Sequence, residues 1–105
     1  MLIVLFRSRL KETAPADGYG EMAEEMEARA RTMPGFVDMK FFTAADGERL
    51  TIVWWQDEAT MAAWRADARH VIAQRLGREK WYAAYRIEVA EVVRSRAFTP
   101  EAADV

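Results

Sequence analysis

A single histidine, His70, stands in a chain of 105 residues that contains no cysteine. The missing cysteines exclude disulfides, thiolate metal sites and cysteine nucleophiles, and one imidazole excludes a multi-histidine metal site within a single chain. His70 is also the side chain whose ordinary pKa lies near neutrality, which makes it the natural general base if the chain uses one. Trp64 precedes it by six residues. A turn between the two could aim both side chains into one space, where an apolar wall would keep the imidazole neutral by desolvation. A lone helical histidine can equally be a surface or capping residue. Four tryptophans are many for this length, although in small domains they mostly fill core and interface. Trp81 and Tyr82 suit packing as well as a site. Met22, Met26 and Met33 suit a core or a pocket wall, and Glu21, Glu24, Glu25 and Glu27 a solvated helix face. Arg75, Arg78 and Lys80, with Arg86, read as a solvated flank that could pair with an acidic ligand.

These residues must be positioned by one small domain. At 105 residues there is room for no more, and a chain of this size buries roughly 65% of its unfolded surface. Half of the residues are apolar (51%) and 30% are charged, a soluble globular balance. Fifteen Lys+Arg against seventeen Asp+Glu leave a net charge of -2, which argues against nucleic acid as the partner. The apolar start Met1–Phe6 is cut short by Arg7. It is too short for a membrane span, and its charge follows rather than precedes the apolar run of a signal peptide. The expectation is a buried first strand in a cytoplasmic protein without a membrane partner.

Leu2 to Leu10 reads as that strand, and Lys11 to Gly18 as a loop with helix-start chemistry. Tyr19, Met22, Met26, Ala30 and Met33 then recur every three or four residues, one apolar stripe on a helix to about Met33, where Pro34-Gly35 stops it. Phe36 to Ala44 and Leu50 to Gln56 form a hairpin across Asp46-Gly47. Asp57 to Thr60 opens a short helix carrying Met61 and Trp64, and a second helix spans about Asp67 to Lys80, with Gly77 as its weak point. Tyr85 to Arg94 alternates as a last strand. The domain then covers residues 1–96, and 97–105 are a flexible, polar tail. The order βαββαβ predicts an α+β, ferredoxin-like split βαβ fold with a four-stranded antiparallel sheet. Val37, Met39 and Phe41 oppose Phe36 and Phe42 on the second strand, and Ile52 and Trp54 oppose Val53 and Trp55 on the third. With both sheet faces apolar, a homodimer is the expected cover for the face that the helices leave open.

Met33-Pro34-Gly35-Phe36, Val53-Trp54-Trp55, Ala63-Trp64 and the stretch from His70 through Gln74, Gly77-Arg78 and Trp81-Tyr82 to Tyr85 carry a resemblance over residues 1 to about 96. The chain resembles the antibiotic biosynthesis monooxygenase family of dimeric α/β barrels, which includes heme-degrading monooxygenases.

That resemblance implies two activities. Heme-degrading members place a tryptophan beside the porphyrin, matched by Trp64. They need a histidine ligand where Gln74 stands, and an asparagine late in the first strand, where Ser8 (or Arg7) stands. An amide is a poor iron ligand, so heme is possible but disfavoured, and His70 could serve only if the helix turned. Cofactor-free members hold a deprotonated aromatic or quinol-type substrate in an apolar cavity, where its carbanion meets O2. For this chain the resemblance gives a cofactor-independent monooxygenase with no metal, with His70 as base. Phe6, Ser8, Trp54 (or Trp55), Trp64 and Tyr82 (or Tyr85) would line the substrate site. A ligand-binding barrel without catalysis, or a heme binder, are the alternatives.

Overall fold

The computed structural model describes residues 1–100, and positions 101–105 of the expected tail lie outside the described residues. Strands β1 (Leu2–Leu10), β2 (Phe36–Thr43), β3 (Arg49–Trp55) and β4 (Tyr82–Glu91) form one antiparallel sheet in the order β2-β3-β1-β4. Helices α1 (Tyr19–Ala30), α2 (Glu58–Ala66) and α3 (Ala68–Leu76) connect them, and a π-helical turn, Gly77–Trp81, follows α3. This is the α+β, ferredoxin-like architecture expected.

Pairing assigns the faces. Val4 lies opposite both Val53 and Val89, and Phe6 opposite both Thr51 and Ile87. These residues share the face on which the helices pack: Ala30, Val53, Trp55, Met61 and Trp64 form the buried core, with Leu2, Val4 and Met26 against it. Ile3, Leu5, Ile52 and Trp54 point to the other face. A bulge between Phe36 and Asp38 resets the alternation of β2. Phe36 therefore joins Met39 and Phe41 on the helix face, rather than opposing them, and Val37 is left half exposed.

Several element boundaries differ from expectation. Helix α1 ends at Ala30, not near Met33, because the residue before Pro34 is disfavoured in helix and the chain closes early through Met33 N–H to Ala30 O (3.0 Å). The helix expected to run to Lys80 stops at Leu76, and its last residues widen into the π-turn. Strand β4 starts at Tyr82 instead of Tyr85 and ends at Glu91 instead of Arg94. Buried Trp81 pins that corner: its indole N–H donates to Asp17 O (3.0 Å), and Lys11 N–H donates to its carbonyl (2.7 Å).

The helix–strand junction is close-packed. Gly35 has φ +80°, and a Cβ there would strike the side chain of Thr60. Thr60 and Asp57 form a reciprocal capping box at the start of α2, so Gly35 lets β2 pass against the end that orients Trp64.

Candidate active site

A cavity of about 560 Å3 lies between the helix-side face of the sheet and the helices. Its wall is apolar: Phe6 and Val53 from the sheet, Met22 and Met26 from α1, Trp55 and Trp64 at one end, Tyr82 at another. The helix layer does not reach all of β4, so Ile87 and Val89, though part of this wall, remain 50% and 51% exposed.

His70 sits on this wall. Asp67 starts α3 by accepting from the backbone N–H groups of Arg69 (3.1 Å) and His70 (3.2 Å), which satisfies the free amides of a helix start. The same carboxylate takes a two-pronged bond from Arg29 of α1, at 2.7 and 3.0 Å, so α1 and α3 share one anchor. That guanidinium holds the Asp67 carboxyl below the usual carboxylate range. The sharp turn at Asp67 brings the His70 ring flat onto Trp64, centroids 4.3 Å apart and planes 13° from parallel. Trp64 in turn lies 6.2 Å from Trp55. The indole N–H of fully buried Trp55 has no hydrogen-bond partner among the described residues and stands beside the cavity.

The imidazole has a defined tautomer. Nδ1 lies 3.0 Å from the carbonyl oxygen of Trp64. A carbonyl only accepts, so Nδ1 carries the proton and Nε2 keeps its lone pair. Burial pushes the pKa down from its ordinary value, against smaller upward pulls from that carbonyl and from Asp67. The result is a neutral base with a free acceptor nitrogen. Tyr82 has the opposite bias: burial, then the neighbouring Tyr19, raise its pKa and keep it a phenol. Its ring packs edge-on against Phe6 at 5.3 Å, and Gly77 leaves the space that it fills.

Of the expected site residues, the cavity thus brings together Phe6, Trp64, His70, Tyr82 and Tyr85. Trp54 is not among them. It pairs with Ile3 on the opposite sheet face, and Trp55 holds the place in the cavity, because consecutive strand residues alternate faces. Ser8 is a second correction. It is buried at the far end of β1, beyond Phe6, and lines a separate cleft of about 320 Å3 with Arg7, Arg9 and Glu48. Tyr19 and Arg65 line the main cavity without having been expected to, and Arg78, read as a solvated flank that could pair with an acidic ligand, lines it too. For Tyr19 the signal was its place on the apolar stripe of α1.

Heme fits these residues poorly. Gln74 does line the cavity, but it offers only an amide. The single imidazole, which would have to hold the iron, is stacked face to face on Trp64, so the two residues that would serve a heme lie against each other. Among the described residues no group of three or more His, Cys, Asp or Glu is placed to hold a metal ion.

Residues 1–76 match the family model described as antibiotic biosynthesis monooxygenase. The chain belongs to this family. YqjZ of Bacillus subtilis (strain 168), an uncharacterized member of the curated proteins, is 38% identical over 81 residues, 77% of this chain and 71% of YqjZ. Jasmonate monooxygenase ABM of Pyricularia oryzae is 27% identical over 97 residues, 90% of this chain but only 45% of that longer protein. Among solved structures, the N63A mutant of SnoaB, a cofactor-independent oxygenase from Streptomyces nogalater, superposes with a TM-score of 0.75 at 16% identity, covering 90% of this chain and 94% of that one. At that identity the likeness shows a shared fold.

Proposed function

We propose that this family member is a cofactor-independent monooxygenase acting on a small aromatic or quinol-type molecule, with His70 as the base. The observation that carries the reading is the neutral imidazole: Nδ1 bonded to Trp64 O, the ring stacked on Trp64, Nε2 free in an apolar cavity. Such a base removes a proton from an activated C–H or O–H group, and the apolar wall leaves the resulting anion poorly solvated and electron-rich. The anion transfers electrons to O2 and forms a C–O bond. Cleavage of the peroxide O–O bond leaves one oxygen in the product and sends the other out as water. Membership of the family and the jasmonate monooxygenase relative support this reading. A homodimer completes it, with a second copy on the open sheet face of Ile3, Leu5, Ile52 and Trp54, and the cytoplasm as the site of action.

Oxygen-electrode measurements with a panel of quinols and anthrone-type compounds test the activity. The expected result is one O2 consumed per product, with no added metal, flavin or heme, and a loss of about 10²–10⁴-fold in His70→Ala. Tight binding of such compounds without O2 uptake would replace the reading with a non-catalytic binding barrel.

A further inference from the structure

The cavity wall carries charge of one sign. Arg65 and Arg78 line it, and among the described residues no Asp or Glu does. This is unexpected in a chain with more acids than bases, where Arg7, Arg9, Arg29, Arg31 and Arg69 are each paired with a carboxylate. Arg65 and Arg78, both exposed, have no such pair among the described residues, as is also true of Arg49, Arg75 and Arg86. A third guanidinium, Arg49, lies 5.6 Å over the ring of Tyr19, which also borders the cavity.

His70, Gln74 and Arg78 follow each other at intervals of four residues, and all three line the cavity. They make a polar line along an otherwise apolar wall: an acceptor nitrogen, an amide, then a cation. From His70 to Leu76 helix α3 rises about 9 Å, and Arg78 follows on the π-turn just beyond it. A fused two- or three-ring molecule fills such a span. A guanidinium takes a carboxylate by two parallel N–H bonds.

Building on the proposed activity, we infer that the substrate is an aromatic carboxylic acid, its ionised carboxylate held by Arg78 at one end of the cavity and its reacting hydroxyl-bearing ring at His70 and Trp64. Arg65, beside Trp64 in sequence, adds positive potential at the reacting end, which favours the substrate anion that oxygenation requires.

Calorimetric titration with 6-hydroxy-2-naphthoate, its methyl ester and 2-naphthol tests the assignment. The acid is expected to bind about tenfold tighter than the ester or the naphthol, the worth of a charge-assisted bond, and that preference should shrink as salt rises. Arg78→Gln should abolish the preference while leaving ester binding unchanged. Arg75→Gln, exposed and outside the cavity, should alter neither. Equal affinity of acid and ester, an acid preference that survives Arg78→Gln, or no binding of any of the three overturns the inference. The readout is binding, so the two readings fail separately. Acid binding without O2 uptake removes the oxygenase reading and leaves this one, and equal turnover of acid and ester does the reverse.

Discussion

Protonating His70 would bury a cation against the Trp64 ring at the cavity wall, a desolvation cost larger than the upward pulls of the Trp64 carbonyl and of Asp67. The folded protein therefore binds this proton less readily than the unfolded chain. Above a pH of about 6.5, where histidine is neutral in both states, the group contributes nothing. As pH falls below that, the unfolded chain takes up the proton first, and stability drops until the folded pKa is passed. Denaturant midpoints are expected to fall between pH 7 and pH 5 in the wild type and to fall less in His70→Gln. The lowered carboxylates of Asp46, Asp57 and Asp67 lose their contributions only at more acid pH, so the two windows are separable. With His70 as the proposed base, kcat/KM should decline through an apparent pKa below 6.5. An acid limb unaltered in His70→Gln assigns proton removal to another group.

The elements that present these side chains meet at two close approaches. Adding a methyl group to Gly77 would put it 2.5 Å from Cε2 of Tyr82, so Gly77→Ala is expected to cost about 1–3 kcal/mol in urea denaturation and to weaken substrate binding as the Tyr82 ring shifts. Asp67 is the other control point. Asp67→Ala removes the cap of α3 and the partner of Arg29 together. Its turnover should fall more than that of Asp67→Asn, which keeps an oxygen for the two amides. Much of this architecture was legible in the residues: the Asp46-Gly47 hairpin, the apolar stripe of α1, the order of the elements. Other parts were not. The π-turn depends on Trp81 reaching Asp17 O across the fold, a contact that no local periodicity encodes. The bulge at Val37 and the choice of Trp55 over Trp54 both turn on one residue of strand register, which flips every side chain that follows. The Arg29–Asp67 bond joins residues 38 apart, so it appears only when α1 lies beside α3.

On the scale of the molecule, the sheet has one face spent on the cavity and core and one left with Ile3, Leu5, Ile52, Trp54 and a half-exposed Phe42. Pairing two such faces buries on the order of 1,000 Å2 or more, enough for a stable interface. Sedimentation at micromolar concentration should give the dimer mass. Trp54→Glu places a charge at the middle of that face and should yield a folded monomer or a much weaker dimer, since an unpaired buried charge is costly. A wild-type monomer at that concentration contradicts the proposed assembly. The open edge of the cavity along Ile87 and Val89 lies on the helix side of the same sheet, so the proposed dimerisation through Trp54 would leave that edge uncovered.

The stacking of His70 on Trp64 has an optical consequence. An imidazolium in face contact quenches indole emission more strongly than a neutral imidazole does, and at 4.3 Å this ring lies in contact. The protein therefore carries a built-in reporter of its proposed base. Lowering the pH should dim the tryptophan emission with the midpoint of His70 itself, and His70→Gln should flatten that curve while the other three tryptophans continue to emit. A ligand that accepts a hydrogen bond from protonated Nε2, or donates one to the neutral ring, would shift the midpoint. Occupancy of the cavity could then be followed by light alone, before any product is known.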